Sequence, residues 1–207
     1  MRARPPRPAR FRKSRGVSCW EYVIRPTIIV FAKAPVAGRV KTRLRLPPGE
    51  AARLHDRFVR AAVLLCLDLD ADVELHTDEP TGAWADLPVR RGLQVPGDLG
   101  AKMLAALRSR SGPVMIVGSD APTLPAGHLR RLLASPADVA LGPTEDGGYY
   151  AILARRTADG MFEGVEWSSG RELEQTIRAA KKAGLSVETG DVWFDVDTPE
   201  DLRRVVW

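Results

Sequence analysis

Two short segments, TIIVFA at 27–32 and PVMIVG at 113–118, are apolar almost throughout and lack the in–out alternation of a half-exposed strand. Such runs, rich in β-branched residues, read as strands buried on both faces, and a sheet buried on both faces needs helices above and below it. The helical period supplies them. From 49 to 69, Leu54, Phe58, Ala61, Ala62, Leu65 and Leu69 recur at helical spacing, and Leu99, Met103, Ala106 and Leu107 share one face of a helix over 99–109. Further helices are predicted over 125–134 and 170–183. Between them fall an alternating strand at 72–77, a strand at 138–142, an apolar run at 149–153 after the turn signal Asp146-Gly147-Gly148, and a last strand at 191–196. Ser169 with Glu172 predicts a capping box for the fourth helix, and Thr198-Pro199 an N-cap and N1 pair opening a fifth. Alternating strands and helices predict an α/β fold, a Rossmann-like open mixed, mainly parallel sheet with helices on both faces. Ligands on such sheets bind outside the carboxyl ends of the strands.

The 207 residues suit one domain. Their net charge of +5 is unevenly spread. Residues 1–26 carry eight Lys or Arg against Glu21 alone, whereas the remainder holds 23 basic and 25 acidic residues. The Pro/Arg-rich start cannot bury enough apolar surface to fold, so 1–26 is expected to be a disordered basic tail and 27–207 the domain. A slightly acidic domain offers no basic face to nucleic acid. No apolar run reaches 18 residues, and the basic start lacks the apolar region of a secretory signal, so membrane and export are not expected and the cytoplasm is the default. Cys19 and Cys66 are too few for a disulfide framework or a zinc site, and Cys66, in an apolar helical run, reads as a buried inert thiol. His55, His76 and His128 are isolated in sequence and read as surface residues; no Ser/His/Asp or Cys/His arrangement supports a hydrolase.

Three polar motifs fall at the ends of strands. After the first strand, Lys33, Arg39, Lys41 and Arg43 crowd into eleven residues around Pro35 and Gly38. Like charges so close repel unless an anion joins them, and Arg forks and Lys point charges suit phosphates. The loop is neither a P-loop nor a G-x-G-x-x-G fingerprint. Asp120 leaves the end of PVMIVG, where packing gives no reason for a carboxylate; it is either a turn-holding cap or a ligand of Mg²⁺ or Mn²⁺. Asp195 and Asp197 lie two apart at the last strand's end, and one of them could complete a metal site with Asp120, while Glu200 and Asp201 favour the following helix N-terminus. Two weaker signals remain. Gly97 and Gly100 could let backbone approach a base or ribose, or form an ordinary turn; Asp146 and Gly147, before Tyr149 and Tyr150, could border an acceptor site or simply turn a hairpin.

In this order, FAKAPVAGRVKTRL, GDLG, GSDAPTL, GPTEDGGYY, WSSGRELEQT and DVDTPEDL resemble a family of GT-A-fold transferases, often found near radical SAM enzymes and labelled as glycosyltransferases. The same motifs are similar, more distantly, to 2-phospho-lactate and molybdenum-cofactor guanylyltransferases. The resemblance spans about residues 27–207 and implies a nucleotide-diphospho-sugar transferase fold. It further implies that the first loop binds phosphates, that Gly97 and Gly100 lie near the nucleoside, and that Asp120 and Asp197 bind metal. Where the nucleotidyltransferase loop G-G-x-x-x-R-M-G-x-x-K has paired early glycines, this chain has Lys33, Ala34 and Pro35, and the cationic role falls to Arg39 with Lys41 or Arg43.

These readings converge on a metal-dependent nucleotidyltransferase that moves an NMP from an NTP to a phosphorylated small molecule and releases pyrophosphate. The alternative is a GT-A glycosyltransferase using a nucleotide sugar. In the first case Arg39, Lys41 and Arg43 neutralise the β- and γ-phosphates, and Asp120 and Asp197 hold Mg²⁺ or Mn²⁺. The expected partners are the nucleotide and a small-molecule acceptor; a homodimer is left open.

Overall fold

The structure, a computed structural model, describes residues 25–206 and, before them, only the backbone of β1 (Phe11–Lys13) and β2 (Trp20–Tyr22), which pair antiparallel with each other. Most of the expected tail therefore lies outside the described residues. Attachment to the domain is seen from Arg25 onward, which pairs with Asp70 and Asp72, while the Pro26 carbonyl accepts from Asp72 N–H.

The elements of the domain are β3 (Thr27–Ala32), a 3₁₀ turn (Thr42–Leu44), α1 (Pro48–Leu67), β4 (Asp72–Thr77), β5 (Arg90–Leu93), α2 (Leu99–Leu107), β6 (Val114–Gly118), α3 (Ala126–Ala134), β7 (Val139–Pro143), β8 (Tyr149–Ala154), α4 (Glu172–Lys182), β9 (Val187–Thr189) and α5 (Pro199–Arg203). Seven strands form one open sheet in the order β5-β4-β3-β6-β8-β7-β9. Only β8 runs against its neighbours, so the sheet is mixed and mainly parallel. Burial on both faces explains the uninterrupted apolar runs. Ile28 and Val30 of β3 and Met115 and Val117 of β6 pack beneath α1 and α3, with Val59, Val63, Leu129 and Leu132. Ile29, Val114 and Ile116 face α2 and α4, with Met103, Leu107 and Ala180. Burial pushes the Cys66 thiol up to about 12, which leaves it unreactive, as expected. Among the described residues no helix is long and apolar enough to cross a membrane.

Two details depart from the sequence reading. No strand occupies 191–196. Pairing with β7 is made by Val187–Thr189 and stops at Gly190, where an added Cβ would meet the Leu132 side chain at 2.8 Å. The chain then crosses the tops of the strands, bridging Thr144 at Trp193 and donating from Val196 N–H to the Asp120 carbonyl at 2.8 Å. At α4, the Glu172 carboxylate accepts from Ser169 N–H at 2.6 Å, but the Ser169 hydroxyl accepts from Arg171 N–H, so the box is half made. The box predicted nowhere is complete at α5, where Thr198 and Asp201 cap each other.

A third, small cluster (Leu44, Phe58, Phe194, Val196 and Val205) ties the basic loop, α1 and the C-terminal crossing together. It fixes what stands above the ends of β3 and β6.

Candidate functional site

The basic loop leaves β3 with its first turn pinned. Ala34 N–H donates to Asp78 Oδ1 at 2.7 Å, and the Lys33 carbonyl accepts from His55 Nε2 at 2.9 Å. A carbonyl can only accept, so this nitrogen carries the proton. His55 is buried, which corrects the expectation of a surface residue; burial holds its pKa below the ordinary range and keeps it neutral. His76 and His128 are also largely covered, His76 against Phe31 and His128 against Trp193 and Tyr150.

Lys41 and Arg45, at either end of the 3₁₀ turn, have φ of 49° and 56°, the left-handed region that non-glycine residues seldom take. The result sorts the cations of the loop. Lys33, Arg39 and Arg43 stay at the surface; Arg39 pairs with Glu79 at 2.9 Å, and Arg43 stands 3.8 Å from Asp197. Lys41 is turned inward, its side chain only 4% exposed and its ammonium 5.2 Å from the centre of the Phe58 ring. There Nζ meets Asp120 Oδ1 at 2.7 Å, Asp197 Oδ1 at 3.2 Å and the Val196 carbonyl at 2.7 Å. Burial works against this ammonium, but the two aspartates outweigh it and raise its pKa.

Asp120 and Asp197 thus meet at one point although 77 positions separate them in sequence. Both stay partly open, with side chains 46% and 42% exposed. Asp195 lies beneath. Burial first, then the charges of Asp120, Asp146 and Asp197, push its carboxyl up to about 7 against the pull of Lys41. The negative charge here outruns the protein's own cations, which fits a site that receives more positive charge. Hard divalent cations take carboxylate oxygens, so Asp120 and Asp197 are the pair that could hold one. Among the described residues no three His, Cys, Asp or Glu side chains converge to hold a metal by themselves, so phosphates and water would complete the shell.

Asp146 and Gly147 form the tip of the β7–β8 hairpin. Asp146 Oδ1 accepts from Thr144 Oγ1 at 2.6 Å and from Gly148 N–H at 3.1 Å. Gly147 has φ of 89°, and a Cβ there would run into the Gly170 carbonyl, so the hairpin tip is pressed against the segment leading into α4. The charge of Asp146 adds to that of the acidic cluster and helps raise the pKa of the Asp195 carboxyl. Gly97 and Gly100 sit at the entrance to α2, on the β5 side of the sheet. Gly97 is exposed with φ of 124°, and Asp98 caps the helix at Ala101 N–H. Gly100 is buried against Trp167 and Phe162, which a Cβ would meet at 3.1 and 3.2 Å, so helix packing already accounts for it. Sequence reasoning missed Asp78, Glu79 and the Val196 carbonyl; none carries a spacing that would mark it.

A family model described as "Uncharacterized protein conserved in bacteria (DUF2064)" matches residues 53–169. A 2-phospho-L-lactate guanylyltransferase of Natronomonas pharaonis is 34% identical over 167 residues, covering 78% of this chain and 80% of that one. One from Methanocella arvoryzae is 30% identical over 79% of this chain and 73% of its own. A solved structure from Desulfovibrio desulfuricans G20, described as a nucleotide-diphospho-sugar transferase, superposes with a TM-score of 0.76 at 30% identity, over 86% of this chain and 84% of that one.

Proposed function

This chain belongs to the family described as uncharacterized proteins conserved in bacteria (DUF2064) and is a transferase, and from that premise we propose that it transfers an NMP from an NTP to a phosphorylated small molecule. An oxygen of the acceptor phosphate attacks the α-phosphorus, the bond from that phosphorus to the bridging oxygen of the β-phosphate breaks, and pyrophosphate leaves. The observation that carries this reading is the meeting of Lys41, Asp120 and Asp197 at the ends of β3 and β6, beneath a loop that holds Arg39, Arg43 and Lys33 at its surface.

Each residue then has a task. Arg39 and Arg43 meet the β- and γ-phosphates, where charge builds as pyrophosphate departs; such transfer asks the protein mainly for positioning and charge neutralisation. Lys33, at the exit of β3, extends the same cationic rim. Asp120 and Asp197 fit Mg²⁺ or Mn²⁺, which when bound would polarise the phosphoryl oxygens and neutralise their charge. Gly97 borders the nucleoside side. The Asp146–Gly147 tip, with the segment leading into α4, bounds the acceptor side. The guanylyltransferase names of the relatives support a nucleoside triphosphate as donor and a phosphorylated acid as acceptor.

Glycosyl transfer from a nucleotide sugar remains the second reading, favoured by the description of the Desulfovibrio desulfuricans chain. The two are separated by a matrix of the four NTPs and several nucleotide sugars, scored for thermal stabilisation with Mg²⁺ and then for products. A ligand at about 100 times its Kd adds roughly 2.7 kcal/mol to stability, which a melting curve resolves. Pyrophosphate release in the presence of a phosphorylated acid supports nucleotidyl transfer; a free nucleoside diphosphate from a nucleotide sugar overturns it.

A further inference from the structure

Lys41 is the one cation of the basic loop that is not at the surface, and its ammonium is fully engaged. Three N–H groups meet three acceptors, at Asp120, Asp197 and the Val196 carbonyl. A phosphate could be met only by giving one of them up. The partners are of two kinds. Val196 offers a backbone oxygen, held in place by its own N–H bond to the Asp120 carbonyl. Asp120 and Asp197 offer one oxygen each to Nζ while their side chains stay partly open to solvent. The ammonium therefore sits on the inner side of the carboxylates that would receive a divalent cation from the outer side. Two carboxylates with one ammonium between them, and the exposed Arg43 guanidinium 3.8 Å from Asp197, leave little net negative charge for a bare metal ion to meet. The carboxylates are also only two ligands, too few for a hard cation that seeks about six oxygens.

Resting on the proposed reading of this site, we infer that Lys41 is the resident counter-cation of the Asp120–Asp197 pair, so that a divalent cation enters the pair only in company with a nucleoside triphosphate, whose phosphates take over the ammonium. Lys41 then has two states. Without nucleotide it keeps two mutually repelling carboxylates on one point and weakens the pair's hold on a bare metal ion. With nucleotide the phosphates supply both the missing metal ligands and the negative charge that releases Nζ. Binding of metal and nucleotide is reciprocal by thermodynamic linkage, so each strengthens the other.

Two titrations of the full chain test this. Mn²⁺ alone is followed by loss of the free-ion electron paramagnetic resonance signal, and the four α,β-methylene NTP analogues are titrated by calorimetry with and without Mn²⁺. In the parent, Mn²⁺ alone should bind weakly, and the analogue that binds should bind more tightly when Mn²⁺ is present. Lys41→Met, which keeps the stem and removes the charge, should bind Mn²⁺ alone about tenfold more tightly than the parent, because a like charge beside the metal is gone. Its gain in analogue affinity from Mn²⁺ should shrink. Lys41→Gln, which keeps a donor for the Val196 carbonyl, replaces the Met variant if that one fails to fold. Unchanged or weaker Mn²⁺ binding in the variant overturns the inference and makes Lys41 a strut that only shapes the pair. Mn²⁺ binding to the parent that is as tight alone as with the analogue overturns it without any variant. If an analogue binds while either result is seen, the proposed function stands and this inference alone falls; if no analogue binds under any condition, both fall.

Discussion

The sheet carries two clusters of charge that differ in how fully they are compensated. Under β4, Glu74 is 2% exposed and accepts from His76 Nε2 at 3.0 Å and from Arg110 Nε and Nη2 at 2.7–3.0 Å, with Arg90 at 3.9 Å. The bond from His76, then the bonds and charge of Arg110, hold its carboxyl down at about 2 in spite of burial. Above the ends of β3 and β6, Asp120 and Asp197 share Lys41, and burial with their charges pushes Asp195 up to about 7. The first cluster answers every charge from within the protein, as a structural ion group must. The second leaves negative charge unanswered at the place where an open α/β sheet binds its ligands. Burial of charge alone does not single out a ligand site.

The comparison breaks if the upper cluster proves structural. Asp120→Asn keeps shape and a hydrogen-bonding oxygen but removes a charge, so transfer should fall by about three orders of magnitude or more while the protein stays folded, with Asp197 still facing Lys41. Steady-state kinetics beside equilibrium unfolding would show it, and an unfolded or fully active variant would place Asp120 with Glu74 instead. The converse change is Arg110→Ala. It strips Glu74 of its main cation and should cost about 3 kcal/mol at neutral pH with nucleotide binding intact. Because the Glu74 pKa is depressed from an ordinary value near 4.5, its stabilisation is complete above that value and is lost as pH falls toward 2. The difference between variant and parent in urea unfolding should shrink accordingly below about pH 4.

Arg39→Met sharpens the reading of the upper cluster, since Arg39 is exposed and bound only to Glu79 among the contacts described. Turnover with an NTP should drop roughly a hundredfold with little change in KM, the pattern of an interaction made mainly in the transition state. A nucleotide-sugar donor should show a smaller loss. The smallest effect concerns Asp195. Its carboxyl binds a proton in the fold that the unfolded chain releases between about pH 4 and 7, so the parent loses stability as pH rises through that window. Asp195→Asn removes this loss. The variant should be more stable than the ligand-free parent at about pH 8 and no more stable than it near pH 4, measured by urea unfolding at both values.

The strands buried on both faces were legible because burial leaves a continuous apolar run, as in β3 and β6. The edges were not. RRGL in β5 and VET in β9 are short and largely exposed, and no hydrophobic period marks them. The apolar start of VWFDV suggested a strand at 191–196, where only Trp193 bridges Thr144. The convergence of the strand-end motifs was legible, since Lys41, Asp120 and Asp197 do meet. The destination of Lys41 was not. Four cations in one loop look alike in sequence, and only the path of the backbone, with left-handed residues at Gly38, Lys41 and Arg45, shows which one turns inward. Likewise DVELHT alternates like a half-exposed strand, yet its Glu74 is buried because Arg110, 36 positions away, reaches it.

Phosphorus NMR of a reaction holding the NTP that the screen selects, a phosphorylated acid and Mg²⁺ tests the central claim most directly. The account predicts that pyrophosphate and a new phosphoanhydride, joining the α-phosphorus to the acceptor phosphate, appear in equal amounts, and that neither forms with Asp120→Asn. Loss of the γ-phosphate as inorganic phosphate, or NTP and acceptor both returned unchanged, would contradict it.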